Sequence, residues 1–226
     1  MPEMIAPEIW QRRATLAHAR NLLGKFLVGP GGKARMITEV EAYDGEGDRA
    51  CHARAGRTRR TEVMYAPGGV WYVYLCYGVH EMLNLVVGPR DWPAAVLIRG
   101  VEGCAGPGRV TRALGVNRRL NGAPAAGTSG LWLEDRGVRV PRRLVRATPR
   151  IGVAYAGPVW AKKPWRFSFD PAALPARPAG RPRRKSTTGP HRAGARGPVA
   201  PAAPTGRNPS GRTATRTVRR RRRRGD

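Results

Sequence analysis

The chain has 226 residues, and its 42 Lys and Arg against 15 Asp and Glu give a formal net charge of +27. This length predicts one domain, or at most two small ones. So large a positive charge favours a polyanionic partner such as nucleic acid over a neutral metabolite or an ordinary protein surface. The N-terminus lacks the apolar run of a signal peptide, and residues 70–79, the longest apolar stretch, fall short of the ~20 residues that a membrane helix needs.

The cysteines indicate the compartment. Cys51, Cys76 and Cys104 are an odd number, with no C-x-x-C pair and no histidine cluster at ligand spacing. This pattern argues against a disulfide framework and against a structural zinc site. We therefore expect a soluble protein of a reducing, intracellular setting that makes no membrane contact. It would be cytoplasmic, and nucleoid-associated in a bacterium.

Composition divides the chain into a globular domain, residues 1–170, and a tail, residues 171–226. The tail contains no Trp, Tyr or Phe, is dominated by Arg, Pro, Ala and Gly, and holds more than half of the net charge. Because it cannot bury a core, we predict a disordered basic segment able to hold phosphates without reading sequence. A frameshift or read-through product would have much the same composition, since these four residues have GC-rich codons, and that alternative stays open.

The first predicted elements in chain order are a helix and a strand. Residues 14–23 have helical spacing, with Leu16, Ala19 and Leu23 on one face and Gly24 as the stop. Residues 34–43 alternate as a strand. The alternation predicts one face with Met36, Thr38, Val40 and Ala42 and an opposite face with Glu39, Glu41 and Tyr43.

A β-hairpin follows. Two β-rich runs, residues 70–76 and 82–87, surround a turn that contains glycine, and Tyr77 lies near its tip. An exposed aromatic ring there is costly unless it meets a partner, so Tyr77 is either a wedge for a base stack or a core residue.

The last elements complete a mixed fold. Residues 94–99 resemble a buried strand that ends on Arg99, and a short helix over residues 109–114 follows Gly106-Pro107-Gly108 and stops at Gly115. Strands and helices do not alternate in strict βαβ order, which predicts the α+β class. We expect a single compact domain with a mainly antiparallel, curved sheet, flanking helices and a protruding hairpin.

Few residues in this pattern suggest chemistry. Glu41 and Tyr43 can face one cavity, where the acid would activate water and the ring would stack on a planar ligand, whereas Glu39 is expected to be merely solvated. Arg99 needs an anionic partner, either Glu41, which it would keep ionised, or a structural partner such as Glu102.

Other polar residues have two possible roles. Beside Cys51, His52 could suggest a metal ligand or a nucleophile, but without a second ligand cluster a polar loop histidine is the safer interpretation. A basic stretch and the helix start at residues 106–108 could each bind phosphate or form a solvated surface. The basic stretch comprises Arg54, Arg57, Arg59 and Arg60.

Taken together, the motifs resemble those of the alkyladenine (3-methyladenine) DNA glycosylase family, the mammalian-type methylpurine glycosylases and their bacterial relatives. The resemblance runs from about Leu16 to Phe169, and the tail lies outside it. The motifs that carry it are residues 37–43, 51–58, 64–65, 71–78, 83–84, 95–99, 106–108, 113–115 and 164–167.

The resemblance implies a monofunctional hydrolase without metal or cofactor that works as a monomer. It would flip a damaged purine out of duplex DNA and cut its N-glycosidic bond, leaving an abasic site. Glu41 would activate water and Arg99 would help to orient it. Tyr43, Tyr74 and His52 would sandwich the flipped base. Tyr77 would fill the gap in the duplex, and Asn84 would disfavour the exocyclic amine of guanine.

One departure lies beside the wedge, where Val79-His80 stands in place of the expected methionine and aromatic residue. Two rival functions stay open. A non-catalytic basic nucleic-acid-binding protein on the same scaffold would not need Glu41. An enzyme for small molecules would not need the aromatic hairpin.

Overall fold

The computed structural model describes residues 2–175 of the chain. In this part of the chain, ten β-strands join in one sheet and three α-helices accompany them. All strand pairings are antiparallel. The predicted α+β class is therefore confirmed. The disorder predicted for the basic tail falls outside the described residues from position 176 onward, and the domain boundary at residue 170 stays a prediction.

One strand lies at the centre of the sheet. The strands are β1 (Glu3–Met4), β2 (Phe26–Val28), β3 (Ala34–Asp44), β4 (Trp71–Cys76), β5 (His80–Val87), β6 (Ala94–Val101), β7 (Cys104–Ala105), β8 (Trp132–Asp135), β9 (Arg146–Thr148) and β10 (Arg166–Ser168). The helices are α1 (Thr15–Leu22), α2 (Pro107–Leu114) and α3 (Gly157–Lys162). The main path runs β1-β8-β2-β3-β6-β5-β4, and β10 also pairs with β3, which therefore has three neighbours.

The predicted alternation of β3 holds except at one irregularity. Val40 and Ala42 lie in the apolar core as predicted, but Ile37 is buried there too, and Thr38 is only half-buried. The register between β3 and β6 shifts on both sides of Glu39. A bulge of this kind breaks the two-residue period and turns the strand, which alternation alone does not predict.

One face of the sheet carries the main core. Helix α1 packs on β3, and α2 packs on β5 and β6. Trp71, Leu85 and Ile98 are buried beneath them. Helix α1 buries Ala19 as predicted and Leu22 in addition, and its C-cap is Leu23, directly before Gly24. Helix α2 begins at Pro107, two residues before its predicted start, and ends at Gly115 as predicted.

The predicted hairpin is formed by β4 and β5. Its turn has positive φ at both Tyr77 (50°) and Gly78 (71°), and Val79 N–H donates to the Cys76 carbonyl over 3.2 Å. Two positive φ values define a type I′ turn, whose twist matches that of the flanking strands. The tip therefore projects the Tyr77 side chain, 92% of which is exposed.

Candidate active site

On the face of the sheet opposite the main core, the strand pairing places Glu41 and other polar residues in one row with Leu97. Tyr72 on β4 pairs with Asn84 on β5, Asn84 with Leu97 on β6, Leu97 with Glu41 on β3, and Glu41 with Arg166 on β10. Directly paired residues of antiparallel strands point to the same side of the sheet. Five strands, β4, β5, β6, β3 and β10, thus contribute to one continuous surface.

A cavity of about 410 Å³ opens on this surface. Its lining joins the sheet to two loops, one around residues 50–64 and one around residues 151–155. It contains every residue that the sequence singled out for a site, namely Glu41, Tyr43, His52, Tyr74, Tyr77, Asn84 and Arg99. Tertiary packing therefore brings all seven positions together.

Glu41 is the buried carboxylate of this cavity, with a side chain that is 0% exposed. Its Oε1 accepts a hydrogen bond from the Ile151 N–H over 2.8 Å, and its Oε2 accepts one from the Tyr43 hydroxyl over 2.8 Å. Burial raises the pKa of Glu41 above its usual value, opposed by Arg99 and by these two donors. A carboxylate so held has a raised proton affinity and a fixed orientation, as a general base requires.

Arg99 lies between two carboxylates. Its Nε is 3.1 Å from Glu39 Oε1 and 3.4 Å from Glu41 Oε1. The expected contact with Glu41 is present, whereas the alternative partner Glu102 forms no ion pair with Arg99 in the described part of the chain. Glu39 also accepts from Arg166 Nη1 over 2.9 Å. The expectation that Glu39 is merely solvated is wrong, because it anchors the arginine that faces Glu41.

Three aromatic rings form walls of the cavity. The rings of His52 and Tyr74 meet edge to face, with centroids 4.7 Å apart, and Tyr43 packs against the same small apolar cluster as Tyr74. Burial raises the pKa of Tyr43 well above its usual value, so its hydroxyl keeps the proton that it donates to Glu41. The result is a slot lined by flat surfaces, suited to a planar ring.

His52 lines the cavity through a hydrogen-bonded imidazole, and its role there stays a prediction. Its Nδ1 lies 3.0 Å from the Tyr72 hydroxyl, and its Nε2 lies 3.3 Å from Arg60 Nη2. Burial, then Arg60 and Arg54, lower its pKa to about 4. The imidazole is therefore neutral at physiological pH.

Asn84 is fixed by the backbone around it. Its amide nitrogen donates to the carbonyls of Tyr72 and Met82, over 3.0 and 3.2 Å, and only 3% of the residue is exposed. Both amide protons are thereby used. The side chain has one orientation at the cavity wall, so it can exclude a ligand group that needs its space.

Comparison with known proteins agrees with this geometry. The model of the Methylpurine-DNA glycosylase (MPG) family matches residues 9–104 and 101–172. This chain belongs to the methylpurine-DNA glycosylase family. The family assignment agrees with the resemblance drawn from the sequence motifs, and the matched residues include the whole cavity lining.

Several relatives of the same description support the family assignment, each named "Putative 3-methyladenine DNA glycosylase". One from Anaeromyxobacter dehalogenans strain 2CP-C is 44% identical over 78% of this chain and 88% of its own length. One from Myxococcus xanthus is 46% identical over 71% of this chain and 88% of its own. One from Psychrobacter cryohalolentis is 45% identical over 66% and 84%.

Sequence reasoning missed a buried ion pair beneath the cavity of this family member. Arg150 and Asp48 pair with both side chains fully buried. Arg150 also donates to the Ala42 carbonyl over 2.8 Å, and its guanidinium lies 4.8 Å from the Tyr43 ring centroid. The next residue, Ile151, holds Glu41. No local pattern signals this role, because the partners are 102 residues apart in the chain.

The predicted phosphate-binding candidates differ in their surroundings. Arg57 pairs with Glu62 and Asp91, so its charge is already matched. Pro107, at the start of α2, lines the cavity. Arg59 and Arg60 are exposed. Arg57 thus has carboxylate partners, whereas Arg60 lines the cavity and forms no ion pair with a carboxylate among the described residues.

A larger groove of about 910 Å³ lies between the N-terminal segment, α1 and residues 135–140. It shares no lining residue with the candidate site, and its acids Glu3, Glu8 and Asp135 are exposed or half-buried, unlike the fully buried Glu41. Size alone therefore does not mark the active site. Residues 2–175 contain no group of three or more His, Cys, Asp and Glu placed to hold a metal ion. None of the described helices is long and apolar enough to span a bilayer.

Proposed function

We propose that this protein is a DNA repair glycosylase that flips alkylated or deaminated purines out of duplex DNA and hydrolyses the N-glycosidic bond. The bases we expect are of the 3-methyladenine, 7-methylguanine, hypoxanthine and ethenoadenine class. The product is a duplex with an abasic site. The observation that carries the proposal is the buried Glu41 carboxylate inside a cavity with aromatic walls.

The aromatic walls support recognition of a flipped base. A purine in the slot would stack against Tyr43, Tyr74 and His52 and would leave solvent on entering. Flipping costs a few kcal/mol and is cheapest for bases that pair or stack poorly, which gives a first level of selection. Asn84, held in one orientation, would then disfavour the exocyclic amine of guanine.

Glu41 and Arg99 would perform the chemical step. As the bond between the base and C1′ breaks, the sugar gains positive charge, which an ionised Glu41 stabilises. Water gives a proton to Glu41 and forms a bond to C1′, while the base departs with the electron pair of the broken bond. Arg99, 3.4 Å from Glu41, favours the ionised carboxylate and would help to orient the water.

Tyr77 would occupy the space that the flipped nucleotide leaves. Its exposure at the hairpin tip, next to the cavity, is the geometry that a minor-groove wedge requires. The surrounding cations would contact phosphates without reading sequence. We propose that the protein acts as a monomer and that, in a bacterial cell, it works at the nucleoid.

Simple hydrolysis without strand cleavage is the expected outcome. A lyase step needs a primary amine that forms a Schiff base with the sugar. The cavity lining contains no lysine among the described residues. This supports a monofunctional glycosylase, whose product breaks only after alkali.

The test uses the full chain and two labelled DNA substrates. One duplex carries a single hypoxanthine or ethenoadenine, and the other is treated with a methylating agent; hot alkali then cuts any abasic site. Wild type should give breaks only after alkali. Glu41→Gln should lower the cleavage rate about 10³-fold, the scale of a lost general base. Glu102→Gln, an exposed carboxylate outside the cavity, is the control and should cleave normally.

Binding separates the proposal from its rivals. Glu41→Gln should bind DNA as wild type does, because one charge contributes little to the phosphate affinity of a very basic protein. A folded wild type that binds tightly but cuts no substrate would favour the non-catalytic nucleic-acid-binding protein. Glu41→Gln with near-normal cleavage would remove Glu41 from the mechanism.

A further inference from the structure

Arg60 contacts two of the rings in the cavity wall. Its Nη2 donates to His52 Nε2 over 3.3 Å, and its guanidinium carbon lies 5.2 Å from the centroid of the Tyr74 ring. Arg60 also lines the cavity itself. The guanidinium thus places a positive charge beside the rings against which a flipped base would stack.

The hydrogen bonds of His52 define its proton. Because a guanidinium only donates, His52 Nε2 must accept, and the imidazole proton is on Nδ1, where it can be donated to the Tyr72 hydroxyl. Burial and the neighbouring arginines lower the pKa of His52 to about 4. His52 therefore adds no charge of its own, and of these two neighbouring arginines, Arg60 and Arg54, it is Arg60 that is hydrogen-bonded to it.

The other arginine that lines the cavity, Arg99, and two arginines close to the site are matched by carboxylates. Arg99 contacts Glu39 and Glu41, Arg166 contacts Glu39, and Arg150 pairs with Asp48. Among residues 2–175, Arg60 forms no ion pair with a carboxylate. The positive charge at the His52–Tyr74 wall is thus without a local counter-charge in the described structure.

We propose that Arg60 is a specificity-determining residue that favours neutral damaged purines over cationic ones. A cationic base such as 3-methyladenine in DNA would approach a like charge across the wall, whereas neutral hypoxanthine or ethenoadenine would not. The guanidinium also makes a cation–π contact with the Tyr74 ring. A cationic base would otherwise gain that attraction itself. This inference rests on the proposed function and deepens it.

The neighbour Arg59 supplies a matched control. Arg59 and Arg60 are both exposed and adjacent in the same loop, so losing either one removes the same charge near the DNA phosphates. Of these two arginines, Arg60 alone contacts His52 and Tyr74 in the described structure. A general loss of DNA affinity should therefore affect both variants equally, and a change of base preference should affect only one.

The experiment compares wild type, Arg60→Gln, Arg60→Lys and Arg59→Gln under single-turnover conditions. Release of 3-methyladenine from methylated DNA and cleavage at hypoxanthine in a duplex are measured, and each rate is divided by the half-saturating protein concentration. The ratio of the two values, cationic over neutral, is the readout. Arg60→Gln should raise this ratio about threefold to tenfold, the range for a partly screened charge a few Å away.

The controls decide the cause. Arg59→Gln should leave the ratio at the wild-type value, and Arg60→Lys, which keeps the charge, should lie close to wild type. An equal ratio in Arg60→Gln and Arg59→Gln would overturn the proposal. A lysine variant that behaves like the glutamine variant would also overturn it, because hydrogen-bond geometry and not charge would then set the preference. Absence of cleavage by wild type would instead overturn the proposed function.

Discussion

The two faces of the sheet bury different kinds of side chain. The face under α1 and α2 buries apolar side chains such as Trp71, Leu85 and Ile98. The other face buries charge: Glu41 and the Arg150–Asp48 pair are fully enclosed. Burying ions costs several kcal/mol each unless partners compensate. The difference teaches that the larger apolar core lies on one face, whereas the other face combines a smaller apolar cluster with the electrostatic cost of buried charge, where the chemistry is proposed.

The largest expected effect comes from breaking the buried charge pair on the site face. Asp48→Asn leaves the fully buried Arg150 guanidinium without its carboxylate. The free energy of unfolding should fall by about 3–5 kcal/mol, as for other buried pairs that lose one partner. Urea denaturation monitored by circular dichroism measures this change.

Two further variants allow the stability loss on the site face to be compared with that at an exposed ion pair and on the core face. Glu62→Gln removes an exposed partner of Arg57 and should cost at most about 1 kcal/mol. Leu85→Ala on the core face should cost about 2–5 kcal/mol through lost burial and a cavity. If Asp48→Asn costs no more than Glu62→Gln, the site face does not depend on compensated charge.

As pH decreases, cleavage should slow at a higher pH than the one at which an ordinary glutamate takes up a proton. Burial raises the pKa of Glu41 above its usual 4.5, and the proposed base must be ionised. The cleavage rate should therefore fall as pH decreases through a midpoint above 4.5, about tenfold per pH unit below that midpoint. Single-turnover rates on the hypoxanthine duplex measure this.

His52 should not obscure that profile, because its pKa is lowered to about 4 and the imidazole stays neutral over the pH range where Glu41 takes up its proton. Circular dichroism at each pH would show that the protein remains folded. A rate that stays constant down to pH 4.5 would mean that no buried base limits the reaction.

The smallest change in stability is expected at the hairpin tip, which belongs to neither face. Tyr77→Ala removes a ring that is 92% exposed, so the free energy of unfolding should stay within about 0.5 kcal/mol of wild type. Cleavage of a lesion in duplex DNA should fall about tenfold, because the flipped state loses its wedge. Val79→Ala, at an exposed neighbour, is the control. Equal rates for Tyr77→Ala and wild type would argue against a wedge.

Much of the fold follows from local patterns in the sequence. The period of two in residues 34–43 places Val40 and Ala42 in the core and Glu41 on the other face, and it fails only where the bulge at Glu39 breaks it. The turn residues predict the hairpin with Tyr77 near its tip, and the structure decides between the two alternatives for Tyr77 by showing it exposed. A strand pattern fixes which way a side chain points because the backbone itself alternates.

The candidate site was only partly predictable. Motif resemblance singled out Glu41, Arg99 and the aromatic residues, and all of them line one cavity. Their roles in catalysis stay predictions. The role of Glu39 as the anchor of Arg99 was missed, since a carboxylate two residues from another on a strand can as easily face water.

Sequence by itself determined the family, the fold class and the faces on which individual side chains lie. Only the tertiary structure decided which distant groups meet: the Ile151 N–H on Glu41, and Arg150 on Asp48. The physical reason is that periodicity and turn chemistry act over a few residues. The environment of a buried charge depends on donors and acceptors that packing brings together from segments more than 100 residues apart, such as Glu41 and Ile151.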